Sequence, residues 1–326
     1  MADNKYPYSA ELKAPADNSK VDYDDPKTIA GMAKIGKMFG KMAKFYHAKN
    51  GIQMKIGSYK SYDNADIPFY LFEPKNSMNE TLPCIIYYHG GGFMFPVQKM
   101  MQKLANYYAE KLHCRVALPD YRISLTNTCQ DILEDCASMY QYIFNHAEEL
   151  HINSNQVLVY GDSAGGALAA GTTHMARDRG YKKALGQLLV YPVTDNHSER
   201  YQSVKEYPDA AWPAGANRSM WRLMFEKGTF GMENYAAPMN MEDFSELPQA
   251  YVEPQEIDIL RDEAIAYGEK LKAAGIPVEI NVIKGSYHGV ENDWKSPLTQ
   301  RLLVHRGEVM LSLIHISEPT RQEAIS

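Results

Sequence analysis

"QVLVYGDSAGGALAAG", Gln156 to Gly171, sets a short apolar run, Val157 to Tyr160, against a cluster of tiny residues that holds one acid and one hydroxyl. A strand buried on both faces requires such a continuous run. The Ala-rich segment from Ala164 to Arg177, with Leu168 and Met175, predicts a helix. Between the two, Gly161, Gly165 and Gly166 flank Ser163, and residues without side chains let strand, helix and an incoming ligand approach closely. Gly161-Asp162-Ser163-Ala164-Gly165 has the Gly-x-Ser-x-Gly form of a nucleophile elbow, a sharp turn that exposes the serine hydroxyl. Alone, the motif fits equally a glycine turn with a capping serine at a helix start, so the remainder of the chain decides.

The 326 residues are 45% hydrophobic and 23% charged, which suits one sizeable α/β core with a smaller accessory piece. A formal charge of −6 argues against a nucleic-acid surface. No segment approaches the ~18 apolar residues of a membrane span, and the N-terminus lacks a basic start with an apolar run behind it, so stable membrane insertion is not expected and a cytoplasmic location is. Cys84, Cys114, Cys129 and Cys136 lack the paired spacing of a zinc site, so the expectation is buried, reduced thiols and no metal.

Between Pro26 and Tyr46, apolar Ile29, Met32, Ile35, Phe39, Met42 and Tyr46 recur at helical spacing opposite Lys34, Lys37, Lys41 and Lys44. This amphipathic helix is either a Met-rich flap or membrane-surface contact, or an ordinary helix packed on the body. From Ile52 onward strand-like runs ("FYLFEP" at 69, "CIIYYH" at 84, "CRVALPDY" at 114, "GQLLVYP" at 186, "QAYVEP" at 249, "VEINVIKG" at 278) alternate with helical ones. That rhythm predicts a mostly parallel sheet with helices on both faces. It breaks at 195–240, where Trp212, Trp221 and Phe225 lie in a polar and aromatic stretch that looks like an insertion.

"YYHGGGFMF" places His89, Gly90, Gly91 and Gly92 just beyond a strand. Glycine amides there can turn toward a negative oxygen, each donor being worth ~3 kcal/mol in acyl transfer, with the amide of Ala164 as a further donor. The serine needs a base, and His288 in "GSYHGV" follows the last strand-like run, at the sheet edge where open α/β folds gather ligands. His47, His113, His146, His151 and His174 fall in or beside helical segments and read as ordinary histidines. For the orienting acid, "YVEPQEIDILRDE" offers Glu253, Glu256, Asp258, Asp262 and Glu263. Asp262 and Glu263 look like a solvated first helical turn. Asp258, between two isoleucines, is the choice, with Glu256 in reserve.

The order Ser163, Asp258, His288 is that of α/β-hydrolases. "HGGGF", "GDSAGG", the stretch from Tyr235 to Glu279, and "YHG" together resemble the hormone-sensitive-lipase-like group of bacterial esterases, over about Ile52 to Met310. The resemblance implies an α/β-hydrolase fold, catalytic Ser163, Asp258 and His288, and an oxyanion hole at Gly91, Gly92 and Ala164. It further implies a core of 49–194 and 241–310 under a cap made of N-terminal helices (1–48) and the insertion 195–240. The expected activity is that of a serine carboxylesterase acting on small esters with short acyl groups, without a cofactor. Phe93, Trp212, Trp221, Phe225 and Val290 are the expected pocket-lining side chains, and a homodimer is a further expectation. An amidase or peptidase would use the same triad, and a silent small-molecule receptor on this scaffold would be expected to have lost part of it. The chain departs from the family after Asp120-Tyr121-Arg122, where "ISLTNTCQDILED" replaces a Pro-Glu and Phe-Pro segment, and at "PQEIDIL", which lacks the family's glycine and following proline.

Residues 311–326 read differently. "LSLIHISEPTR" is the translation of a transposase adapter used in preparing sequencing libraries, so this tail is expected to derive from library DNA, and His315 to have no catalytic part.

Overall fold

The structure, a computed structural model, describes residues 5–18, 20–77 and 79–316. In chain order the elements are α1 (Pro26–Ala43), β1 (Ile52–Lys60), β2 (Asp66–Pro74), β3 (Leu82–Tyr88), α2 (Lys99–Lys111), β4 (Arg115–Pro119), α3 (Cys129–Asn145), β5 (Ile152–Asp162), α4 (Ala164–Asp178) and β6 (Gly186–Val190). There follow α5 (Gln202–Glu206), α6 (Ala214–Phe225), α7 (Glu233–Ala236), β7 (Gln249–Glu253), β8 (Gln255–Ile257), α8 (Arg261–Ala273), β9 (Val278–Ile280), β10 (Ile283–Tyr287) and α9 (Pro297–Ile316).

Eight strands form one sheet in the order β1-β2-β4-β3-β5-β6-β7-β9. The pairs β1·β2 and β2·β4 are antiparallel and the rest parallel. The parallel strands β4, β5 and β6 carry the apolar runs because both of their faces are covered. Successive residues of β3 show this directly. Ile85 and Tyr87 enter a core with Leu104, Tyr108, Leu303 and Met310 of α2 and α9, while Cys84, Ile86 and Tyr88 enter another with Ile132, Leu168 and Leu271 of α3, α4 and α8. All four cysteines are buried and free.

"VEINVIKG", expected as one strand, is two. β9 ends at Ile280, and β10 leaves the main sheet to pair in parallel with β8, with Ile283 opposite Gln255 and Tyr287 opposite Ile257. Asp258 and His288 are therefore the first residues beyond the ends of two paired strands, which brings them side by side.

Residues 195–240 fold as α5, α6 and α7 over the C-terminal edge of the sheet. Ser203 ties this segment to the body, its Oγ donating to the carbonyl of Ile259 (2.7 Å). The N-terminal segment reaches the same piece: Asp24 accepts from Ser219 Oγ of α6 at 2.6 Å and meets Arg222. α1 starts where Asp25 caps it, accepting from the amide of Lys27, with Pro26 in the first turn. It is the one helix of 1–48 among the described residues.

Met310 is not the end of a structural element. α9 continues through Ile316, Ile314 is buried against the α2–α9 core, and its carbonyl accepts from Gln156 Nε2 at 3.4 Å. The His315 side chain and residues 317–326 lie outside the described residues.

Candidate active site

Ser163 stands between β5 and α4 at φ 56°, ψ −125°, a conformation that costs a non-glycine residue free energy. The surrounding structure holds it there. Its amide donates to the carbonyl of Val190 (2.9 Å), and its carbonyl accepts from Gly166 (2.9 Å) and Val193 (3.1 Å). The flanking glycines are obligatory: a Cβ on Gly161 would lie 2.1 Å from the Gly165 carbonyl oxygen, and one on Gly165 would lie 2.0 Å from that of Tyr88.

The hydroxyl meets the imidazole. Ser163 Oγ is 2.9 Å from His288 Nε2, and His288 Nδ1 is 2.8 Å from Asp258 Oδ2. Asp258 is fully buried, and its other oxygen accepts from the Leu260 amide at 3.1 Å. Glu256, the reserve acid, faces away: it pairs with Lys284 (2.8 Å) and accepts from the Gly285 amide (2.7 Å). Glu263 was expected in a solvated turn but is buried, accepting from the Thr194 amide at 2.7 Å, because the start of α8 packs against the loop that follows β6. Glu253 is buried against Arg306.

Gly91 (φ 110°) and Gly92 (φ 61°) turn the chain beside Ser163, in a conformation that side chains disfavour. The Gly91 carbonyl accepts from Met94 and Phe95 (3.0 and 3.1 Å). Among the described residues the amides of Gly91, Gly92 and Ala164 donate to no turn or loop carbonyl. His89 braces the turn from behind: its Nδ1 sits 2.7 Å from the Gly90 carbonyl oxygen, and its ring stacks on Tyr121 at 4.2 Å. Burial pushes its pKa down to about 4, so the imidazole is neutral.

A cavity of about 220 Å³ opens over Ser163 and His288, with Gly91, Gly92, Phe95, Met101, Tyr191 and Trp212 in its wall. Of the expected pocket side chains, Trp212 is there, its ring 5.8 Å from that of His288. The others are not. Phe93 and Val290 are completely buried, and Trp221 packs in the core between Phe93 and Phe225, with centroids at 5.6 and 5.4 Å. The reason is that α6 is amphipathic and spends Trp221 and Phe225 on docking to the body.

Sequence reasoning missed a set of polar residues under the cavity. The Tyr191 ring packs 4.7 Å from His288, and its hydroxyl donates to Glu291 Oε2 at 2.5 Å. Glu291 also meets Arg306, which reaches back to Glu253 at 2.6 and 2.9 Å. Burial pushes the Glu291 carboxyl up, but Arg306 and Tyr191 outweigh it and hold it below the usual range. Asp162 has no such partner on Oδ1, and desolvation, followed by the charge of Glu291, pushes it up to about 7. The spacing of Glu291, three residues after His288, was the one available signal. Among the described residues no cluster of His, Cys, Asp and Glu is arranged to hold a metal ion, and no helix is long and apolar enough to cross a membrane.

The fold and this arrangement define an α/β hydrolase. The alpha/beta hydrolase fold family matches residues 85–292, and the chain belongs to it, as the resemblance to hormone-sensitive-lipase-like esterases implies. It is similar to esterase LipI of Mycobacterium tuberculosis, 32% identical over 64% of this chain and 65% of that protein, so it spans just under two thirds of that relative. Carboxylesterase NlhH of the same organism is 29% identical over 71% of this chain and 73% of its own. Among solved structures a bacterial heroin esterase superposes with a TM-score of 0.80 at 28% identity, covering 95% of each chain.

Proposed function

We propose that the protein is a serine carboxylesterase acting on small esters with short acyl groups, acetyl to hexanoyl. The observation that carries this is the continuous chain Asp258–His288–Ser163, with contacts of 2.8 and 2.9 Å, on a strained elbow beside the Gly91–Gly92 turn. Its relatives' names as esterases and a carboxylesterase support the same chemistry.

His288 Nε2 takes the proton of Ser163 Oγ as that oxygen attacks the ester carbonyl. The amides of Gly91, Gly92 and Ala164 donate to the oxyanion, at ~3 kcal/mol for each donor. His288 then protonates the departing alcohol, and water repeats the sequence on the acyl-enzyme. Asp258 fixes the imidazole tautomer and stabilises its charged form. Trp212, Phe95 and Met101 offer apolar contact to the ester, and a cavity of about 220 Å³ supports a small acyl group over a long one.

The test is a fluorophosphonate label with peptide mapping, run beside a series of p-nitrophenyl esters of increasing acyl length. Attachment to Ser163, loss of label in Ser163→Ala, and a rate that falls beyond hexanoyl are expected. Labelling elsewhere, or turnover retained in Ser163→Ala, would refute the assignment.

A further inference from the structure

α1 takes no part in the chemistry above. It carries Lys27, Lys34, Lys37 and Lys41 and no acidic residue. One edge is seated: Gly36 and Gly40 lie so close to Pro96 that a Cβ on either would stand 3.4 Å from its ring. The remaining apolar stripe is bare. Ile35, Met38 and Met42 are 45, 50 and 57% exposed, and their spacing of three and four residues puts them along one line of α1, with Phe45, 77% exposed, in the turn just after the helix. Large apolar side chains gathered on a surface mark an interaction site.

The stripe borders an apolar groove of about 770 Å³ between the end of α1, residues 45–49 and the start of α2. Lys49, Lys99 and Lys103 line that groove, and Lys34, Lys37, Lys41 and Lys44 stand exposed along and just after α1, whose end borders it. The crowding is physical: burial, then Lys295, Lys49 and Lys99, lowers the pKa of Lys103. In a chain with a net charge of −6, this face is locally and strongly basic.

We propose that this face docks on an anionic lipid bilayer, with Met38, Met42 and Phe45 entering the headgroup boundary and the lysines meeting lipid phosphates. The commitment to lipid rests on charge complementarity joined to an apolar stripe on an acid-free helix, the combination that holds a helix in the plane of a membrane surface. Gln98 and Met100 line both the groove and the cavity over Ser163, so docking would bring the flank of that cavity to the bilayer. The docking does not depend on the esterase reading, and its test uses no enzymatic readout.

The experiment is co-sedimentation of the full chain with phosphatidylcholine vesicles, with and without phosphatidylglycerol. Binding to the anionic vesicles alone, lost at high salt, is expected. Lys37→Gln with Lys41→Gln should weaken the partition about 30-fold, and Phe45→Ser about tenfold, with the melting temperature unchanged. Absence of binding, equal binding to both vesicles, or indifference to these substitutions would overturn the proposal. So would self-association in sedimentation velocity that Phe45→Ser abolishes, which would assign the face to a second copy of the chain.

Discussion

Replacing Asp162 by Asn should reshape the pH dependence of stability. The carboxyl sits beside Ser163, with Oδ1 buried and unpartnered, and keeps its proton until about pH 7, whereas an unperturbed aspartate releases it near 3.8. The sign follows from proton counts. Below about pH 4 both folded and unfolded chains are protonated at this site, and it contributes nothing to the difference. Between about 4 and 7 the unfolded chain ionises while the folded one does not, so stability falls as pH rises, and above about 7 the full penalty remains. The separation of the two pKa values corresponds to about 4 kcal/mol. With an unfolding entropy of about 2.1 cal/mol/K per residue, that amounts to about 6 °C in a chain of this length. Asn cannot ionise, so the variant lacks the slope. The measurement is Tm of wild type and Asp162→Asn from pH 4 to pH 8. Any fixed cost of the substitution cancels when the offset at one pH is subtracted from that at the other. The difference should move by about 6 °C in the variant's favour as pH rises. Parallel curves would refute the reasoning, because they would mean that the carboxyl ionises as readily in the folded protein as outside it.

Asp258→Asn should lower kcat by ~10⁴ while Glu256→Gln leaves it within a few-fold, and steady-state kinetics giving the reverse order would reassign the orienting acid. Trp212→Ala should change the ratio of kcat/KM between esters of different size, whereas Trp221→Ala should cost about 3–5 kcal/mol of stability in denaturant titration with that ratio preserved. Removing residues 311–326 takes away buried Ile314 and its bond to Gln156, so Tm should fall, while kcat/KM of the folded fraction stays within about twofold of the full chain's value.

Ser163 and the Gly91–Gly92 turn were legible because their chemistry demands residues that few other environments favour. A serine between glycines after an apolar run, and consecutive glycines after another, leave a pattern even in one sequence. His288 and Asp258 were legible by chain order. Their contact was not, since it depends on β10 abandoning the main sheet to pair with β8, and nothing in "VEINVIKG" marks the break after Ile280. The aromatic residues of the insertion misled for a physical reason. A helix that must dock and a loop that must line a pocket can both carry Trp, and only packing tells Trp221, on α6, from Trp212, just before it. Glu263 was misread as solvated and Glu291 escaped notice because buried carboxylates look like surface ones until Thr194 and Arg306 are seen beside them.

Arg306 joins strand β7, through Glu253, to the loop that follows His288, through Glu291. The order of translation gives that joint a consequence. A ribosome delivers β3, the Gly91–Gly92 turn, β5 and Ser163 well before β10, and Arg306 later still. A nascent chain can therefore form its elbow while the imbalance of two buried acids keeps the histidine loop from settling. The growing polypeptide carries an unarmed serine while residues 164–306 are being added, and the hydroxyl acquires its partner only when the helix that brings Arg306 to Glu253 and Glu291 has emerged.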